Sequence, residues 1–353
     1  MRLASLLIAL VLGCGMTIAA LGQPIHGSGS TFVYPVLARW SKEYWKVSHV
    51  QVEYQPLGSS GGLTEIKAGV VDFGVSDAPL KVDQLSRDGL AQFPVVIGAI
   101  VPVVNLAGIG SGQLRFTGPL LADIYLGKVK RWSDPSIAAV NPGIKLPDEA
   151  ILVVHRSDGS GTTFNWTDYL SKVSGEWNIK VGAGTLVAWP IGVGAKGNGG
   201  VADDVARVKG AIGYVEYGYA RRRQLAYGLV RNRAGNFVPP DMSSFQAATA
   251  DLDWAKMRAF YVSLTDAPRA DAYPIMAASF ALIRKHPRDV ARSRDVVAFF
   301  RWALENGQSM ATALDYLPLS PLFVQEVESY WSEEWGAAIS GPSFSRERSQ
   351  TPG

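Results

Sequence analysis

Three times in this chain a loop of glycine, serine and threonine opens a stretch with helical spacing. Gly27-Ser28-Gly29-Ser30-Thr31-Phe32 leads into residues 36–45, and Gly58-Ser59-Ser60-Gly61-Gly62 into residues 63–68. Arg156-Ser157-Asp158-Gly159-Ser160-Gly161-Thr162 leads into residues 163–170. The last two loops follow strand-like runs: residues 50–55 alternate apolar and polar, and residues 150–154 are wholly apolar. Repeated strand–loop–helix units imply an α/β fold whose ligands sit at the carboxyl ends of parallel strands. Each helix N-terminus leaves backbone N–H groups without intrahelical partners, and the macrodipole favours an anion there. Ser160 and Thr162 add hydroxyl donors, and Arg156 adds a planar fork that suits a tetrahedral oxyanion. The competing reading of the Arg156 loop is a capped turn with a surface Arg156–Asp158 pair. The two further loops of like composition weigh against it.

A length of 353 residues allows two domains, each with its own core. The chain is 47% hydrophobic and 18% charged, and a net charge of +3 is too small to argue for nucleic acid or a membrane surface. Arg221-Arg222-Arg223 reads as a solvated helix end. Two long apolar β-rich runs, residues 93–106 and 273–283, suggest that the chain leaves one domain and later returns to it. The expected division is 23–104 plus 273–340 for the first domain and 105–272 for the second. Residues 341–353, rich in Ser, Arg, Pro and Gly, read as a flexible tail.

At the other end, Arg2, a following apolar run and small residues at Ala20 and Gly22 read as a secretory signal cut before Gln23. A membrane anchor of about 20 residues is the rival reading. A third takes Val11-Leu12-Gly13-Cys14 as a lipoprotein signal with Cys14 lipidated. Cys14 is the single cysteine, so a chain cleaved at Gly22 has no disulfide and no cysteine metal site. The address expected is the periplasm.

Catalytic readings find little support. Gly58-Ser59-Ser60-Gly61-Gly62 matches G-x-S-x-G, with Ser60 as nucleophile, but a triad needs a histidine. The chain has His26, His49, His155 and His286. His286 lies in a charged, surface-like context, and Arg156 beside His155 disfavours a charged imidazole. Gly192-Val193-Gly194-Ala195-Lys196-Gly197 matches G-x-G-x-x-G but follows Trp189-Pro190 rather than a clear strand. No phosphate-binding Walker loop and no metal-ligand spacing is present. Asp77 is the odd residue. At the end of the run 71–79 it would repel a bare anion, yet it can accept a hydrogen bond from a protonated one such as hydrogen phosphate. The alternative for Asp77 is a cap or turn residue before Pro79.

Taken in order, Gly27–Phe32, Gly58–Gly62, Val71-Asp72-Phe73-Gly74-Val75-Ser76-Asp77-Ala78-Pro79, Arg156–Thr162 and Gly210-Ala211-Ile212-Gly213-Tyr214-Val215-Glu216-Tyr217 resemble the periplasmic phosphate-binding proteins of high-affinity phosphate ABC transporters. The resemblance runs from about Gly27 to about Trp335. It implies a two-domain periplasmic-binding-protein clam-shell, each domain a mainly parallel sheet flanked by helices, joined by a two-strand hinge and closing on one phosphate. It also implies the site. Thr31, Phe32 (through its backbone), Ser59, Arg156, Ser160, Gly161 (through its N–H) and Thr162 would donate, Asp77 would accept the ligand's proton, and Asp158 would hold Arg156. Ser28 and Ser30 stand where the family has small residues, a change expected to leave the donors undisturbed. No cofactor, no metal and no catalysis are implied. The expected partners are inorganic phosphate and inner-membrane permease subunits, with the chain itself a monomer. The alternatives are a binding protein for arsenate or sulfate, or a secreted phosphatase or serine hydrolase.

Overall fold

The computed structural model describes residues 23–336 and Ile339. The signal segment, Cys14 and the tail lie outside the described residues. The first lobe begins β1 (Ile25–Gly29), α1 (Tyr34–Ser48), β2 (Val52–Gln55), α2 (Ser59–Ala68), β3 (Phe73–Ser76), α3 (Val82–Asp88) and β4 (Leu90–Val104). The second lobe follows with β5 (Arg115–Phe116), α4 (Gly118–Tyr125), α5 (Pro135–Val140), β6 (Leu152–Arg156), α6 (Gly161–Val173), α7 (Gly175–Lys180), β7 (Val193–Ala195) and α8 (Gly197–Arg207). It continues through β8 (Ala211–Glu216), α9 (Tyr217–Arg222), β9 (Ala226–Tyr227), β10 (Leu229–Arg231), β11 (Phe237–Val238) and α10 (Met242–Thr249). The chain then returns through β12 (Met276–Arg284), α11 (Val290–Asn306), α12 (Gln308–Thr312) and α13 (Pro321–Trp335).

The main sheet runs β2-β1-β3-β12-β4-β8-β6-β7. Strands β1, β2 and β3 are parallel, as are β6, β7 and β8, so each lobe brings its Gly/Ser loops to the carboxyl ends of its own strands. Strand β4 joins the lobes. All fifteen of its residues are buried. Leu90–Ala99 pair with β12, and Ile100–Val104 pair with β8. A strand buried on both faces along its length reads as one continuous apolar run, which is how it stands in the sequence.

Helix α1 shows how local chemistry sets the elements. Pro35 lies in its first turn, where a missing N–H costs nothing. Val36, Leu37, Trp40 and Tyr44 form the buried face, and Trp40 Nε1 donates to Gly307 O at 2.9 Å. The helix therefore starts two residues before the apolar spacing predicts. In the β12–β4 ladder the register slips between Ser279 and Phe280, passing over Val95. The slip falls beside Pro94, which has no N–H to give to a ladder.

The core is continuous through both lobes. In the second lobe it is aromatic: Trp166 stacks on Tyr214 at 5.0 Å between ring centres, with Tyr125 and Trp189 against the same ring. Through the Tyr214 hydroxyl this cluster meets the backbone of Arg156.

Candidate functional site

The three Gly/Ser/Thr loops converge. Two come from the first lobe and one from the second, and the lobes are closed on each other. Gly58 shows how close the approach is. It has φ +93°, which glycine tolerates at no steric cost, and a Cβ there would lie 2.4 Å from Asp158 Oδ2 and 2.7 Å from Gly159 O. Gly161 is as constrained: a Cβ on it would meet Asp77 Cβ and Ser59 Oγ, each at 2.6 Å. At Gly58 and Gly161 the missing side chain leaves room for atoms of the opposite lobe.

On the first-lobe side, Asp77 follows β3 and is 1% exposed. It caps no helix, because α3 starts at Val82 with Lys81 as its cap. Three serine hydroxyls reach its carboxylate instead. Ser30 donates to Oδ2 at 2.6 Å, Ser279 to Oδ1 at 2.7 Å, and Ser59 approaches Oδ2 at 3.5 Å. Burial pushes the Asp77 carboxyl up to about 6, against the pull of Ser30, Ser279, the Arg156 charge and Ser59. Ser59 Oγ also accepts from Asp77 N at 3.2 Å and from Gly161 N at 3.0 Å, the latter across the cleft. Phe32 is fully buried, and its N–H donates to Ser30 Oγ at 3.0 Å.

On the second-lobe side, Arg156 ends β6 with its side chain 1% exposed. It grips Asp158 with two bonds, Nε to Oδ1 at 2.8 Å and Nη2 to Oδ2 at 2.5 Å. The pair is a buried fork, not the surface pair of the competing reading. Burial alone would raise the Asp158 carboxyl, but the Arg156 bond and charge and the Gly197 N–H outweigh it, and the net shift is downward. Arg156 Nη1 also reaches Thr162 Oγ1 at 3.4 Å. Ser160 caps α6, its Oγ accepting from Thr163 N at 3.1 Å.

All eight candidate ligand-binding residues lie in this one cluster, with Asp158 beside it. Sequence reasoning missed four residues that hold it together. Asn198, fully buried in the first turn of α8, donates through Nδ2 to Thr31 Oγ1 at 3.0 Å and to Thr162 Oγ1 at 3.1 Å, and through its N–H to Thr31 Oγ1 at 3.1 Å. Asn165 Nδ2 crosses the cleft to Asp77 O at 2.8 Å. Tyr214 OH accepts from Arg156 N at 3.3 Å. Ser279 reaches Asp77 from the far strand β12. The expectation for Ser30 needs correcting. Its hydroxyl does engage the donor set, because it stands between the Phe32 N–H and the Asp77 carboxylate.

The hydroxyls have a telling polarity. Among the described residues, Thr31, Ser160 and Thr162 receive hydrogen bonds only from donors. A hydroxyl has one proton, and here each is left for a further acceptor. Hydroxyls in this state beside a guanidinium are suited to an oxyanion. Ser60 differs: its Oγ donates to Thr185 Oγ1 at 3.2 Å, and His155 stacks on Trp189 at 4.8 Å and bonds Arg156 O through Nδ1.

A domain model described as a PBP superfamily domain matches residues 17–306. A phosphate-binding protein PstS of Xylella fastidiosa is 50% identical over 311 residues, spanning 88% of this chain and 85% of that protein. A phosphate-binding protein PstS of Haemophilus influenzae is 47% identical over 324 residues, 92% of this chain and 97% of that one. The fold is also that of a high affinity periplasmic phosphate-binding protein (PfluDING) solved with phosphate bound, at a TM-score of 0.67 and 19% identity over 87% of this chain and 93% of the other. Matched length and identity together place the chain in the PBP superfamily, and within it the chain belongs to the PstS family of phosphate-binding proteins.

Proposed function

We propose that this protein captures inorganic phosphate between its lobes, in the periplasm, and delivers it to the permease of an ABC importer. Thr31, Ser59, Ser160 and Thr162 donate through their hydroxyls, Arg156 through its guanidinium, and Phe32 and Gly161 through backbone N–H groups that in this structure rest on Ser30 Oγ and Ser59 Oγ. Asp77 accepts the proton of hydrogen phosphate, and Asp158 holds Arg156 in its plane. The lobes, 23–104 with 273–340 and 105–272, close because only the closed form satisfies both donor sets at once. Export through a cleaved leader leads to the periplasm. No helix among the described residues is long and apolar enough to cross a membrane. The role is binding without chemistry.

The observation that carries this reading is the pairing of donor-met hydroxyls with a buried carboxylate in one cluster. Donors alone would accept any oxyanion. A carboxylate among them favours one that brings its own O–H and repels one that is fully ionised. Membership of the PstS family supports phosphate as that oxyanion and an ABC permease as the partner.

The test is calorimetric titration of refolded, anion-free protein with phosphate and then sulfate at pH 8. Phosphate is expected to bind tightly and sulfate to give no heat. In Asp77→Asn, discrimination against sulfate should fall by about 10²-fold or more, since the substitution removes the repelling charge. A well-folded protein that takes up no phosphate would refute the proposal.

A further inference from the structure

The network around Asp77 is more than a wall of the cleft. Its two oxygens face different elements. From the β1–α1 loop comes Ser30, from α2 Ser59, and from β12 Ser279. From the second lobe the Arg156 charge acts on it, and Asn165 binds its backbone oxygen. From β2 comes Tyr54, whose hydroxyl donates to Ser30 O at 2.9 Å. Burial drives the Tyr54 phenol far above its usual range, so it faces Asp77 as a neutral group. Ser30 makes the shortest of the hydroxyl contacts. Its oxygen accepts the Phe32 N–H, and its one proton is directed at Asp77 Oδ2.

We propose that Ser30 is a specificity-setting residue: by donating to Asp77 Oδ2 it holds that carboxylate ionised and turned toward the cleft as an acceptor, and so extends the rejection of fully ionised oxyanions to lower pH. The inference rests on the phosphate reading above. The logic is a competition. Burial favours the neutral acid, and the serine hydroxyls favour the carboxylate. Once Asp77 carries a proton it becomes a donor, and the group that excluded sulfate welcomes it. Ser30 is therefore placed to set the pH at which the cleft loses its selectivity. It does so without touching the second-lobe donors. The backbone N–H of Phe32 is tied to the same hydroxyl, so Ser30 also couples one ligand donor to the discriminating acid.

The experiment uses the whole exported protein, refolded free of anion, with inorganic phosphate and sulfate as probes from pH 5 to pH 8. In the unaltered protein sulfate binding is expected to emerge only as the pH falls through about 6, where Asp77 takes up its proton. In Ser30→Ala that onset should move up by roughly one pH unit, while phosphate affinity at pH 8 changes by less than about tenfold. Ser30→Thr, which keeps the hydroxyl, should return the onset to its original place. Ser279→Ala should move it in the same direction as Ser30→Ala. If the unaltered protein binds phosphate but Ser30→Ala leaves the sulfate profile where it was, the Ser30 proposal falls and the phosphate reading stands. If Ser30→Ala lowers phosphate and sulfate binding equally at every pH, Ser30 is only a structural prop and the proposal falls as well. If the unaltered protein binds no phosphate at pH 8, both fall together.

Discussion

Asp77 and Asp158 face one cleft from opposite lobes, and their surroundings push them in opposite directions. Asp158 has a guanidinium in a two-bond grip, and its carboxyl is held below the usual range despite burial. Asp77 has only hydroxyls in contact, and burial lifts it to about 6. A charged partner at contact distance overcomes desolvation, and neutral donors only reduce it. Under the phosphate-binding proposal this difference would divide the roles. Asp158, paired with Arg156, would serve to aim it. Asp77, with no cation at contact distance, would keep a charge beside the donors that can tell a protonated anion from a bare one.

The sharpest way to break this comparison is to remove the guanidinium. Arg156→Met should abolish measurable phosphate binding, a loss of about 3–5 kcal/mol or more, because a buried charge and its directed donors go together. It should also destabilise the fold, leaving Asp158 with the Gly197 N–H but without its cation. Adding Asp158→Asn should recover the melting temperature and not the binding. If the double variant bound phosphate as the original does, Arg156 would be a partner for Asp158 and nothing more.

A smaller effect probes how the two sides are tied. Asn198 bridges Thr31 of the first lobe and Thr162 of the second, and its Oδ1 accepts from Glu216 N at 2.9 Å. Asn198→Ala should weaken phosphate binding by about 1–2 kcal/mol, roughly five- to thirtyfold. The loss should appear in the dissociation rate, since the bridge exists only when the lobes are closed. Stopped-flow release that is unchanged in the variant would put Asn198 outside the closure.

What the sequence made legible follows from range. The three loops could be read because strand, loop and helix N-terminus are contiguous, and the backbone donors come with that local geometry. β4 and β12 stood out as apolar runs because both are buried along nearly their whole length. Asn198 was hidden for a physical reason. It follows Gly192–Gly197, a run set aside because Trp189-Pro190 precedes it, yet β7 is a three-residue strand inside that run, laid parallel to β6. So short a strand gains its stability from its neighbour and leaves little periodicity to find. Ser279 reaches Asp77 beside a slip in register, which no spacing rule announces. Helix α2 begins at Ser59, four residues before its apolar spacing starts, because Gly61 and Gly62 are used for close approach despite their poor helix propensity. Ser30 was visible as a residue, but the carboxylate it touches lies forty-seven positions away.

The smallest effect extends the comparison to a third carboxyl, at the joint between the lobes. Glu216 ends β8 opposite Ile100, where β4 passes from one lobe to the other. It is fully buried. Its Oε1 accepts from Gly218 N at 2.7 Å, and Arg222 Nη2 stands 3.6 Å from Oε2. Burial raises its carboxyl from 4.5 to about 8, with Arg222, Gly218 and Tyr316 pulling the other way. Arg222 is partly exposed and only just in range, so it acts more like the hydroxyls around Asp77 than like the grip on Asp158. A carboxyl whose native pKa exceeds its unfolded one binds a proton on folding. Its favourable contribution is full below about 4.5 and is lost as the pH rises through about 8. Glu216→Gln, which cannot ionise, should therefore unfold much like the original at pH 5 and be the more stable of the two at pH 9. The gap should reach on the order of 1–3 kcal/mol, read from thermal or urea unfolding with phosphate absent. A gap that stayed flat between pH 5 and pH 9 would mean that Arg222 neutralises Glu216 as fully as Arg156 neutralises Asp158. Contact by a cation at 3.6 Å and a two-bond fork would then have the same consequence, and the contrast drawn between the two sides of the cleft would lose its physical basis.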